Sequence, residues 1–371
     1  MFLVAGGYVD KEKKILEYIR INPFITQQEL ADKIGISRSA VAGYIANLVK
    51  QGEIIGRAYI LKSSSLITCI GGVNLDRKAH SKQKVSLHTS NPVTITESCG
   101  GVARNIAENL GRLECTVSLI SAVGDDKEGK WVLEETRKYG VEVSQVKVFP
   151  QERTGTYTAL IDPCGEMVIS LADMEIYNQI TPELLKDKWS YIASSQAVFL
   201  DTNIPESSLV YLIQCCKEQG IPLYIDPVSS PKASKLPSSL EGVEVILPNR
   251  DEAEVLAAMK IETIDDCRIA CQKIQARGVK NVVVTLGEQG IFYASDTESK
   301  HLPPLRDIKV VDVTGAGDAF ASGFLYGMTN KEGMERSCYL GLAASALTLQ
   351  TYESVSPYLK PEHLYKMIEE K

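Results

Sequence analysis

The sequence predicts an α/β protein: a mostly parallel sheet with helices on both faces and a small β lid, preceded by a small helical head. Three observations carry this. From Leu66 onward, short apolar runs alternate with helical periods, the pattern of βαβ units whose right-handed crossovers give a parallel sheet. Two stretches, about 76–98 and 153–173, instead alternate with period two and contain turn residues, so they read as antiparallel lid strands outside the main sheet. The first 65 residues hold nine Lys/Arg against six Asp/Glu, while the rest hold 31 against 41. A basic head before an acidic body suggests two domains with different partners.

The chain has 371 residues and a net charge of −7, with 44% hydrophobic and 23% charged residues, the balance of a soluble globular protein. Its apolar runs are strand-length, short of the roughly 20 residues that a membrane span needs. MFLVAGGYVDKEKK lacks the pattern of a secretory signal. The nine cysteines are scattered without zinc spacing, so reduced thiols, a cytoplasmic location and no membrane partner are expected.

The head occupies residues 1–62. Ile15, Leu16 and Ile19 recur at helical spacing. Thr26 with Glu29 has the form of a capping box. Gly35 ends that helix, Ser37 caps the next, and Val41, Ile45 and Leu48 give the second helix its apolar stripe. Two helices joined by a short glycine-containing turn form a helix-turn-helix, and a strand-like pair around Gly56 supplies a wing. Over about 55 residues this resembles the winged helix-turn-helix of AsnC- and MarR-type regulators. The resemblance implies that Ser37, Arg38 and Ser39, with Tyr44, enter the major groove of DNA. Lys50 and Arg57 are placed to touch phosphates. The same unit could instead serve dimerisation or regulation, with Arg38 a solvated surface charge. Residues 63–65, all serine, read as a linker.

In the body, 66–371, the strand candidates are 66–73, 116–123, 197–201, 222–228, 243–249 and 281–287, with helical patterns at 104–113 and 207–220. Ligands of open α/β sheets bind at the carboxyl ends of strands. The small polar and glycine-rich clusters fall there: GGVNLD (71–76), GGVARN (100–105), DTN (201–203), PNRDE (248–252), TLGEQG (285–290) and DVTGAGD (312–318).

The last cluster places Asp318 directly behind a Gly-Ala-Gly turn. A dinucleotide fingerprint does not fit, because Phe320 stands where the third glycine belongs and Asp318 would face a pyrophosphate. No GxxxxGK[ST] occurs, which excludes a P-loop. Phosphoryl transfer uses the carboxylate better. Backbone N–H groups of Gly315, Ala316 and Gly317 at a helix start can stabilise a transferring phosphoryl group, while Asp318 accepts the proton of the attacking hydroxyl.

GGVARN together with DVTGAGDAFASG resembles the paired signatures of the PfkB, or ribokinase-like, carbohydrate kinases, and the likeness runs over residues 66–371 in the family's order. It implies ATP and Mg²⁺, and possible use of K⁺. It implies Asp318 as base and Gly315, Ala316 and Gly317 as the anion hole. Substrate positions carry over to Asn74, Asp76, Gly100, Gly101 and Asn105, with Asn203 more loosely matched. Asn249 and Glu252 match the NxxE motif that organises magnesium, indirectly through Glu252, and the phosphates. Thr285, Gly287 and Gly290 match the nucleotide loop. Asp312 and Thr314 match the monovalent-cation positions, which Ser354 or Ser356 would complete. Glu114 stands where the family commonly has glycine, a departure expected to change only a surface turn. The resemblance further implies a homodimer paired through lid strands.

Within that family the likeness is to bacterial pseudouridine kinases, carried by GGVNLD, 90–110, SLADMEIYNQIT (170–181), DTNI and DPVSSPK. It implies a nucleoside as substrate, the 5′-hydroxyl of pseudouridine as acceptor, and Asp173, Thr156 or Thr158 as partners of the base. Asp173 could equally cap a helix or face solvent. A ribokinase- or fructokinase-type activity, or a regulator that only senses a nucleoside or sugar, are the alternative readings.

Overall fold

The structure is a computed structural model that describes residues 5–22, 25–55, 65–306 and 308–369. The wing around Gly56, Arg57, and Ser63 and Ser64 of the linker lie outside the described residues. The chain forms two compact units. One takes in 1–66 together with 186–196, and the other holds 67–185 with 197–371. Residues 186–196, expected in the large domain, thus cluster with the head.

In the first unit, helices α1 (Ala5–Ile21), α2 (Gln27–Ile34) and α3 (Arg38–Lys50) enclose a core of Ile15, Ile19, Leu30, Val41, Tyr44, Ile45 and Leu48. The Thr26–Glu29 capping box is closed in both directions, at 2.8 and 3.2 Å. Gly35 ends α2 in the left-handed region, and the Ser37 hydroxyl accepts the Ala40 N–H at 3.1 Å. Ser37, Arg38, Ser39 and Lys50 are exposed. Tyr44 is not available to a groove: it lies on the buried stripe, three residues past Val41, and packs in the core.

Among the described residues of the second unit, the main sheet has nine strands. From one edge these are Ser299–Leu302, Ile291–Ala294, Asn281–Thr285, Val243–Ile246, Leu223–Asp226, Ala197–Asp201, Leu66–Ile70, Thr116–Ile120 and Val141–Glu142. Parallel pairing dominates, and the first two strands, absent from the sequence reading, add an antiparallel edge. The 116–123 run divides, because Ala122–Gly124 leaves the sheet to pair with Lys147–Phe149. The inner strands are buried throughout, so they read as apolar runs instead of alternating.

Helix α4 (Val102–Arg112) follows the second glycine cluster and ends in a turn where Glu114 has φ 62°. That left-handed backbone is what the family's glycine would relieve, and Glu114 is exposed, so its effect stays at the surface. Among the described residues, no helix is long and apolar enough to cross a membrane.

The lid is a separate four-stranded sheet in the order Val93–Gly100, Asn74–Ser81, Gly155–Ile161, Met167–Asp173. It is not wholly antiparallel. Asn74–Ser81 and Gly155–Ile161 run parallel, Asn74 opposite Gly155. The connectivity allows it: between the two strands the chain makes a long crossover that includes α4 and the main-sheet strand Thr116–Ile120, as parallel pairing requires.

Candidate active site

The site is assembled by one carboxylate that the sequence reading passed over. Asp201 ends the strand Ala197–Asp201 and is wholly buried. Its Oδ2 accepts the N–H groups of Gly72 (2.8 Å) and Ala103 (2.9 Å), and its Oδ1 accepts that of Asn203 (2.9 Å). Three clusters far apart in sequence are thereby fixed to one strand end. Gly101, at φ 100°, needs its freedom because a Cβ there would meet the Gly72 carbonyl. Gly100 lies beside the Asp76 carboxylate.

The Asn74 amide donates to Asp76 Oδ1 at 2.5 Å, and the buried Tyr177 hydroxyl donates to Asn74 Oδ1 at 3.3 Å. Burial pushes the Asp76 carboxyl up to about 6, against the pull of the Asn74 amide, Lys78 and Arg104. Asn203 holds the Lys232 ammonium on its side-chain oxygen at 2.5 Å.

Asp318 lies in the first turn of the helix Ala316–Thr329, and its Oδ2 accepts the Asn105 amide at 2.8 Å. The amide's orientation is set by Arg104, whose guanidinium donates to Asn105 Oδ1 at 3.1 Å and to the Thr136 hydroxyl at 3.1 Å. Arg104 is itself buried and paired with Glu108. Burial pushes the Asp318 carboxyl up to about 7; Asn105 and Arg104 pull it down, and the carboxylates of Asp201 and Asp76 push it further up. A group poised there can take a proton at neutral pH. Gly315 precedes it at φ 77°, where a Cβ would strike the backbone of Ser354. The Ala316 N–H leans on the Val313 carbonyl at 3.3 Å, while the first-turn N–H groups of a helix otherwise look outward.

Asp318 and Gly317 share a pocket with Asn249, Glu252, Thr285 and a further carboxylate, Asp226. Asn249 and Glu252 close a capping box on each other, at 2.7 to 2.9 Å. Burial raises both Glu252 and Asp226 above the usual carboxylate range, and Glu252 and Asp318 push Asp226 further. Three acids that resist ionising together suit a cation. Among the described residues no group of His, Cys, Asp or Glu is arranged to hold a metal alone. Val228, beside them, has φ 65°, rare for a β-branched residue and typical of strain stored at functional sites. Gly287 and Gly290 shape the turn between Asn281–Thr285 and Ile291–Ala294, and neither is among the residues lining that pocket.

Two expected positions differ. Lid register puts Asp76 opposite Tyr157, and Tyr157 opposite Ala172, so these three share a face. Thr156, Thr158 and Asp173 belong to the other face with Arg77, and Thr156 and Asp173 line a cleft there with Arg77 and Arg153. Asp173 therefore points away from the Asp76 side. The monovalent-cation site is also changed. Asp312 Oδ1 accepts both the N–H (2.9 Å) and hydroxyl (2.8 Å) of Thr314, and Oδ2 takes the Lys78 ammonium at 3.1 Å. Both carboxylate oxygens are thus engaged by protein donors, and the cation that Oδ2 meets is a lysine.

Comparison with known proteins gives the same picture. Residues 64–361 match the pfkB family carbohydrate kinases, and residues 10–54 match a winged helix-turn-helix DNA-binding family. An uncharacterized sugar kinase of Escherichia coli K12, YeiI, is 31% identical over 97% of this chain and 99% of its own length. A pseudouridine kinase of the same organism is 30% identical over 83% of this chain and 98% of its own. A carbohydrate kinase from Agrobacterium tumefaciens superimposes with a TM-score of 0.73 at 31% identity, covering 82% of this chain and 97% of that one. With its family match, its ribokinase-like sheet and its glycine-turn carboxylate, the chain belongs to the pfkB family of carbohydrate kinases, ATP-dependent phosphotransferases acting on a hydroxyl group.

Proposed function

We propose that the protein phosphorylates the 5′-hydroxyl of pseudouridine, and that its head binds DNA. The observation that carries the substrate is Tyr177. It belongs to DMEIYNQIT (173–181), the stretch of the resemblance that best separates pseudouridine kinases from ordinary ribokinases, and its hydroxyl holds Asn74 in the substrate site. Similarity to the E. coli pseudouridine kinase over most of both chains supports the same reading.

In this reading Asn74 and Asp76 hold ribose hydroxyls, with Gly100 and Gly101 letting the sugar approach the backbone. Asn105 and Arg104 orient Asp318. The Asp318 carboxylate accepts the 5′-hydroxyl proton as that oxygen bonds to the γ-phosphorus and the bond to ADP breaks. First-turn N–H groups at Gly315, Ala316 and Gly317 steady the charge on the transferring group. Mg²⁺, when bound with ATP, neutralises phosphate charge. Glu252 and Asn249 would order its shell, while Thr285, Gly287 and Gly290 would shape the nucleotide loop.

The test is a panel of pseudouridine, uridine, ribose and fructose with purified protein. Pseudouridine should have the highest kcat/KM. A better rate with ribose or fructose overturns the substrate and leaves the kinase. For the head, exposed Ser37, Arg38 and Ser39 at the start of α3 support groove contact. Affinity for DNA from the upstream region should fall steeply with salt, and no binding at low salt would remove the DNA reading.

A further inference from the structure

Lys78 is the one cation that reaches the loop feeding the anion hole from the lid, among the contacts seen for the described residues. It lies two residues past Asp76 on the same lid strand, so both side chains point to the same face. Its ammonium meets Asp312 Oδ2 at 3.1 Å, and both side chains are largely shielded, 31% and 23% exposed. Asp312 in turn grips Thr314 through its N–H and hydroxyl, one residue before the left-handed turn at Gly315. A chain of bonds thus runs from the strand that carries a substrate carboxylate to the turn that opens the phosphoryl site.

We propose that Lys78 is a positioning residue whose ammonium takes the place of a monovalent cation at Asp312, so that the lid strand itself fixes the loop leading into the Gly315–Gly317 turn. The geometry favours this over a bound ion. Asp312 has one oxygen committed to Thr314 and the other to Lys78, and a tethered ammonium needs no free cation to arrive. A lysine is also a compact point charge with three donors, suited to one carboxylate oxygen. The same ammonium acts on Asp76, which it helps keep ionised. Substrate seated against Asp76 and phosphoryl transfer at Gly315–Gly317 would then be linked through one strand.

The proposal rests on the reading of Gly315–Gly317 as the anion hole, and one measurement of its test does not depend on catalysis. Wild type, Lys78→Ala and Lys78→Gln are compared in KCl and in tetramethylammonium chloride at equal ionic strength. Melting temperature is recorded first. Wild type should melt alike in the two salts, whereas Lys78→Ala should be stabilised by K⁺ specifically, because its freed Asp312 can take the ion. In steady-state kinetics, Lys78→Ala should lose about 10- to 100-fold in kcat, the scale of a displaced supporting contact. Its KM for the nucleoside should change less, and K⁺ should restore part of the rate. Lys78→Gln, which keeps most of the side-chain volume, should follow the same pattern and guards against misfolding of the alanine variant. Several-fold activation of wild type by K⁺, or K⁺-selective stabilisation of wild type, overturns the proposal. So do variants that match wild type in both salts. An inert wild type with the predicted melting behaviour would instead count against the catalytic reading alone.

Discussion

On the floor of the site, the key side chains are tied to neighbours by buried hydrogen bonds. Asp201 takes three N–H groups, and Asn105 spans Arg104 and Asp318. The lid is built differently. Its last strand, Met167–Asp173, is exposed along its whole length, and there alternation along the strand decides which groups look inward. Floor residues have no alternative position, so changing one should act on rate. Inward lid side chains with no tie to the floor, such as Tyr157, should act on which substrate is preferred, whereas Lys78, bonded to Asp312, should act on rate like the floor.

The hardest test of that contrast is Asp318→Asn. The substitution keeps the bond geometry to Asn105 but removes the proton acceptor, and turnover should drop by about 10²–10⁴ with ATP affinity little changed. Near-normal turnover would remove Asp318 from the chemistry and the floor from its role. The same carboxylate fixes the pH response. Burial raises Asp318 to about 7 and Asp76 to about 6 in the free protein, and the base works only when ionised. kcat/KM should therefore be full above pH 7 and fall as pH drops through it, more steeply below 6, as a coupled pair. Because Asp76 pushes Asp318 up, Asp76→Asn should move the remaining acid limb downward. A flat profile to pH 5.5 would contradict this assignment.

Legibility in the sequence follows the same division. Gly101, Gly315 and Asp318 were readable because a left-handed turn or a close backbone approach leaves few residue types to choose from. Asp201 was not: DTN stands among the strand-end clusters, but nothing local says that its carboxylate takes N–H groups 98 and 129 residues away. Tyr44 was within reach: with Val41, Ile45 and Leu48 it completes a helical stripe, and periodicity alone would have placed it inside. Lid strands announced themselves by alternation, but alternation does not say which face meets the site or that two strands run parallel. Lys78 gave no signal, because its partner Asp312 is 234 residues away.

The finest test uses the two faces of the lid. Asp173 and Thr156 share a side with Arg77, whereas Tyr157 shares one with Asp76. A one-residue difference in position flips a side chain to the other face, so neighbours on one strand should behave oppositely. Asp173→Ala should leave the preference for pseudouridine over uridine within about twofold, because a solvated outer carboxylate contributes under roughly 0.5 kcal/mol. Tyr157→Ala should weaken nucleoside binding by about tenfold, the equivalent of roughly 1.4 kcal/mol of lost contact, with kcat changed less. Steady-state kinetics on both nucleosides decide it. If Asp173→Ala erases the preference while Tyr157→Ala does nothing, the lid presents its other face to the substrate. The contrast between a floor that sets rate and an inner lid face that sets choice would then have to be redrawn around Arg77.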